Sequence, residues 1–156
     1  MKKLALLVLF LAVAVPAHAQ DMAATLNAIL LKASSEGHWQ VKAADVAKMI
    51  AEKKTDFLVV DVRPVPPGQK GGKIPGSIFI SYNEILKPEN LKKLPKDKKI
   101  ILVCVTGQTQ NLPVLALRAL GYDARTMSFG MSAWAKGYFG GTLMTGAINE
   151  ANYPVE

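Results

Sequence analysis

The sequence predicts an α/β domain built on a mostly parallel sheet with helices over both faces. Three observations predict it. The segments 57–60 and 100–105 are continuous apolar runs, as expected of strands buried on both sides. Segments with helical spacing of apolar residues alternate with strand-like ones through the middle of the chain. Gly and Pro punctuate the boundaries at Gly37, Pro88, Gly121 and Gly137.

The first segment reads as an address. Lys2 and Lys3 precede an unbroken apolar run over 4–15, Pro16 ends it, and Ala17-His18-Ala19 follows with small residues at both outer positions. This is the three-part pattern of a secretory signal peptide over 1–19, cleaved near Ala19 to give a periplasmic or secreted chain. The run falls short of the ~20 apolar residues of a membrane span, so no stable membrane anchor is expected. Met22, Leu26, Ile29 and Leu30 then predict a helix over 21–35, so that 20–36 forms an N-terminal helical extension.

Gly37 ends that helix, and 39–41 suits a short strand. Val46, Met49 and Ile50 share one face of a helix over 43–54. The strand over 57–60 ends in Asp61. The Pro-, Gly- and Lys-rich stretch 64–76 is a loop, 78–80 a short strand, and 83–93 a set of helical turns with Pro88 as a starter. The strand over 100–105 carries Cys104 near its end. A helix over 112–120 closes on Gly121, a strand follows at 124–127, and a short helix at 131–136 stops at Gly137. The tail 140–156 is small and polar with little periodicity, and loose order is expected there.

Composition removes several functions. One Cys gives no internal disulfide framework, and one Cys with two His cannot assemble an ordinary zinc site. Neither metal nor organic cofactor is implied. Half the residues are apolar, which excludes disorder, and 156 residues suit one domain with its leader. The net charge of +7 includes a Lys cluster over 87–99 that is mixed with Glu89 and Asp97; a solvated face explains it better than nucleic-acid binding. Met127 and Met131 have no neighbouring His and read as core rather than copper ligands.

A lone thiol in an oxidising compartment is either a buried apolar residue or a reactive one. Its setting favours the second. Cys104 stands where a strand ends, followed by Val105-Thr106-Gly107-Gln108-Thr109 and then a helix. Ligands in open parallel sheets bind beyond the carboxyl ends of strands. A Gly-containing turn before a helix can face several amides inward and stabilise a thiolate. Pro113 lacks an N–H, so Asn111 is the expected N-cap, with a late-starting helix and a wide loop. Asp61 beside Arg63 reads as a structural ion pair near the site. His38 and Trp134 read as structural residues.

These residues reach a family. Val59-Val60-Asp61-Val62-Arg63 resembles the Asp-x-Arg strand end of rhodanese domains, and Gly72-Lys73-Ile74-Pro75-Gly76-Ser77 their Gly-His-Ile-Pro-Gly-Ala segment. Cys104 through Thr109 resembles their six-residue active loop. Leu120-Gly121-Tyr122 follows at the family's spacing, and Phe129-Gly130 with Trp134 resembles the closing Gly-Gly and Trp. The resemblance spans about 37–139. It implies a five-stranded sheet flanked by helices and a sulfurtransferase: Cys104 takes sulfane sulfur from a small donor (polysulfide, persulfide or thiosulfate) and passes it to a thiol or protein acceptor. The amides of Val105, Thr106, Gly107, Gln108 and Thr109 would cradle the charge.

The sequence departs from that pattern at telling places. Thr109 and Gln110 stand where the family often has Arg and Ser, which leaves the loop without a cation and predicts poor use of thiosulfate. A phosphatase with the related cradle would have Arg six positions after Cys104, where Gln110 stands. Lys73 replaces a His. Phe129 replaces a Gly and either narrows the mouth or offers a contact to an apolar acceptor. The alternative to a carrier is a rhodanese-like binding module with weak catalysis or none.

Overall fold

The computed structural model describes residues 17–67, 71–151 and 154. Five parallel strands form one sheet: β1 (Gln40–Val41), β2 (Phe57–Asp61), β3 (Ile78–Phe79), β4 (Lys99–Val103) and β5 (Asp123–Met127), in the order β1-β5-β4-β2-β3. The fold class expected from sequence is the one observed. In the centre, Asp61 of β2 lies opposite Val103 of β4, so both strands end at the same level.

Period-2 alternation divides the core. Val60, Ile100, Leu102 and Ala124 point into one cluster with Val114, Leu117 and Trp39. Val59, Ile101, Val103 and Met127 point into the other with Val46, Met131 and Tyr138. Helices α1 (Ala17–Leu31) and α4 (Val114–Ala119) contact each other, as do α2 (Ala43–Ala51) and α5 (Gly130–Trp134). Helix α3 (Pro88–Leu91) has Pro88 in its first turn, as expected from sequence.

Boundaries moved where side chains or geometry intervene. Helix α1 ends at Leu31, and residues 32–36 continue in turns rather than as helix. Gly37–Trp39 forms a tight helical turn before β1, with His38 and Trp39 both at positive φ. The expected leader over 1–19 falls outside the described residues, except that the backbone of 17–19 opens α1. Among the described residues no helix is long and apolar enough to cross a membrane.

Two expectations are corrected. Residues 140–156 are not loose throughout: α6 (Phe139–Glu150) occupies most of that segment. Gly140 lets it approach closely, since a Cβ there would collide with Ser132 Oγ and lie 2.8 Å from Val105 Cγ1. Asn111 is not the N-cap of the helix after the loop. Thr109–Asn111 forms a separate tight turn, and α4 begins at Val114 with Pro113 as its cap. Pro113 O accepts the N–H of Leu117 at 2.9 Å, so the proline contributes its acceptor and its missing donor costs nothing.

The close seat of α6 gives a direct expectation. Gly140→Ala should displace α6 at a cost of about 1–3 kcal/mol of local stability. Hydrogen exchange should then show faster exchange over α6 with the β4 amides still protected.

Candidate functional site

Cys104 follows β4 directly and stays in phase with Ile100 and Leu102. That parity turns it into the first apolar cluster, and it is only 2% exposed. The sequence placed the thiol at the mouth of an amide nest; the structure places it at the base, packed with core side chains.

The loop above it is held from two sides. The Cys104 carbonyl accepts the N–H of Met131 at 2.8 Å, and the Val105 carbonyl accepts the N–H of Ser132 at 3.0 Å and its hydroxyl at 2.8 Å. Gly130 makes this possible: with φ at 53°, any Cβ would run into the Cys104 carbonyl and lie 2.9 Å from Gly107 N. Gly107 is the matching requirement. Its φ is 91°, and a Cβ there would be 2.9 Å from Phe129 Cα and N. Asn111, freed from capping, donates its side-chain N–H to the Gly107 carbonyl at 2.7 Å.

Sequence reasoning saw Gln110 only as a missing cation. It is fully buried and acts as a bridge. Its Oε1 accepts the Cys104 N–H at 2.8 Å, and its Nε2 donates to the Met127 carbonyl at 2.6 Å. It thereby ties the ends of β4 and β5 together and engages the amide of Cys104 itself. The amides of Val105, Thr106, Gly107, Gln108 and Thr109 differ: among the described residues, none donates to a protein acceptor. Unpaired amides in a half-buried loop are ready donors to an anion. The helix dipole adds less than expected from sequence, because α4 starts after the intervening turn.

Asp61 and Arg63 lie beside this loop as a buried pair, each 1% exposed. Arg63 Nη2 reaches Asp61 Oδ2 at 2.6 Å, and Nε lies 2.9 Å from Oδ1. The guanidinium also donates to the Gly72 carbonyl at 2.6 Å and to the Tyr138 hydroxyl at 3.0 Å. Burial pulls its pKa down, but the bonds to Asp61 and Tyr138 more than offset this and raise it above the ordinary value. Arg63 is thus a structural clamp that holds the Gly72 loop and the residue before α6, the role expected of it. His38 is exposed, and Trp134 is half-buried against the second cluster. Among the described residues, no three His, Cys, Asp or Glu side chains gather into a metal-holding group.

A parallel five-stranded sheet with a glycine-clamped loop after its central strand, and a cysteine at the loop's base, defines a class of α/β domain. The model of the rhodanese-like domain matches residues 42–137, and the chain belongs to that family. Among solved structures, it is similar to a rhodanese-like domain protein from Staphylococcus aureus. The identity is 29%, with 63% of this chain and 93% of that one covered and a TM-score of 0.54. It is also similar to a rhodanese-related protein from Thermoplasma volcanium, at 30% identity, 64% and 93% coverage and a TM-score of 0.53. No curated protein matches the chain.

Two substitutions test the geometry. Arg63→Met leaves the Asp61 carboxylate buried without its partner and should cost about 3–5 kcal/mol in urea unfolding. Gln110→Ala strands the Cys104 N–H and the Met127 carbonyl. It should cost about 1–3 kcal/mol and speed hydrogen exchange at Cys104 ahead of the rest of β4.

Proposed function

We propose that this chain is an exported rhodanese-like sulfur carrier in which Cys104 moves sulfane sulfur as a persulfide. The observation that carries this reading is that, among the described residues, the amides of Val105 through Thr109, in the loop that follows the chain's only thiol, have no protein acceptor. Such donors stabilise a thiolate and the charge that develops as a donor departs. The Cys104 thiolate attacks the sulfane sulfur of a persulfide or polysulfide. A new S–S bond forms, the donor's S–S bond breaks, and the leaving thiolate keeps the electron pair. An acceptor thiol or protein then takes the outer sulfur and releases Cys104 as thiolate.

Loop chemistry argues against thiosulfate as the favoured donor. Val105 through Gln110 include no Lys or Arg, and Arg63 is engaged with Asp61, Gly72 and Tyr138. A dianion thus lacks a charge-assisted bond worth about 1.5–3 kcal/mol. Export rests on the leader pattern over 1–19 and places the carrier in the periplasm or outside the cell.

The burial of Cys104 at 2% exposure favours a second reading, a binding module with an inert thiol. Intact mass spectrometry of the secreted chain after incubation with polysulfide separates the two. The carrier gains about 32 Da, one sulfur atom, on a chain that begins at Gln20, and Cys104→Ser gains nothing. A wild-type chain that stays unmodified with polysulfide, persulfide and thiosulfate alike is the module.

A further inference from the structure

Thr126 carries a hydroxyl with nothing to bond. It lies on β5 at 1% exposure, and among the described residues its Oγ1 is the buried side-chain polar atom that lacks a hydrogen-bond partner. Such an orphan costs stability, and a catalytic role or an absent ligand atom is one of the few reasons a fold keeps one. Its place points to the reason. Thr126 is in phase with Ala124 and in register with Leu102 of β4, and both of those residues face the first cluster. Cys104 is the next residue after Leu102 to face the same way. Thr126 and Cys104 are therefore diagonal neighbours on one face of the sheet. Strand spacing and rise set such neighbours about 8 Å apart at Cα, and Cys104 Sγ does not reach the hydroxyl.

The two strands also part at this point. The register of β4 and β5 ends at Leu102 and Thr126, and the next rung would carry the Cys104 N–H to the Met127 carbonyl. The Gln110 carboxamide stands in that rung instead, bonded to both groups. It holds the strand ends apart by its own width just beyond Thr126. Ser128, the next β5 residue on this face, already donates its hydroxyl to Gln40 Oε1 at 3.1 Å. Resting on the reading of Cys104 as a sulfur carrier, we propose that the parted strand ends house the outer sulfur of the loaded form, with the Thr126 hydroxyl as its hydrogen-bond partner. With a persulfide donor, R–S–SH, the Cys104 Sγ–S bond forms as the donor's S–S bond breaks. R–S⁻ leaves with the electron pair, and the transferred sulfur keeps its proton. Cys104–S–SH is then uncharged. It needs a hydrogen-bonding group rather than a counter-ion, and a hydroxyl can give or take the bond. The new S–S bond adds about 2 Å of reach toward Thr126. The loop amides thus serve the charged thiolate, and Thr126 serves the neutral product.

The test uses the full chain, loaded with polysulfide, freed of excess reagent and followed by intact mass. Thr126→Val keeps the shape and removes the hydroxyl, whereas Thr126→Ser keeps the hydroxyl. Discharge to 2-mercaptoethanol should be about threefold to tenfold faster in Thr126→Val than in wild type, because the loaded state loses its hydrogen bond. Thr126→Ser should stay within about twofold of wild type, and all three chains should load at similar rates. Relief of a buried orphan should raise the urea midpoint of unloaded Thr126→Val, so faster discharge is not the mark of a looser fold. Discharge from Thr126→Val no faster than from wild type overturns the proposal, as does Thr126→Ser discharging as fast as Thr126→Val. Slower loading of Thr126→Val with unchanged discharge assigns the hydroxyl to the thiolate and also overturns it. Each of these results leaves Cys104 as a carrier. A wild-type chain that takes up no sulfur removes the carrier reading and this inference together.

Discussion

The contact between the Cys104 carbonyl and the bare Cα of Gly130 governs the site. Only a residue without a side chain lets the turn after β5 approach the end of β4 this closely. Met131 and Ser132, the next two residues, then donate their amides to Cys104 and Val105. The loop's first two carbonyls are thereby used up on the scaffold, while, among the described residues, the amides of Val105 through Thr109 have no protein acceptor. The backbone so divides its hydrogen-bonding capacity, with acceptors turned to structure and donors left for a ligand. The same approach presses Phe129 against Gly107 and fixes where its ring stands.

The central strands were legible because burial on both faces leaves a continuous apolar run, seen at 57–60 and 100–105. Asp61 and Arg63 were legible as a pair because they are two residues apart on one strand end. Their further partners, Gly72 and Tyr138, were not, since these come from distant segments. Gln110 was read for what it lacked, and its bridge joins positions 104 and 127, which no local spacing connects. Asn111 and Pro113 show a local rule overridden: the asparagine side chain finds the Gly107 carbonyl, and the proline's own carbonyl opens the helix. The depth of Cys104 was available from its phase with Ile100 and Leu102, but its place next to a Gly-containing loop argued the other way.

The segments outside the matched family region act at different places. Residues before it form α1, whose connection is fastened by Glu36. That carboxylate accepts the indole N–H of Trp39 at 3.0 Å and pairs with Arg118, which lies over the Trp39 ring at 4.5 Å and also meets Asp123 at 3.1 Å. This fastening is made to α4 and the start of β5, at the end of the sheet away from Cys104. Residues after it form α6, which rests on Val105 itself. Helix α6 gave little signal in sequence because its close contact with the domain is made at Gly140 rather than along a buried apolar stripe, and Leu143 and Ile148 are exposed.

A chain with one sulfhydryl has no second thiol to close onto the first. Chemistry that leaves an extra atom on Cys104 cannot be undone by forming an internal disulfide, so recovery needs an encounter with another molecule. For a carrier of this design, both halves of a cycle would be bimolecular, and throughput would follow the abundance of outside reagents. A stalled intermediate would then be shielded chiefly by the depth of the sulfur beneath its loop.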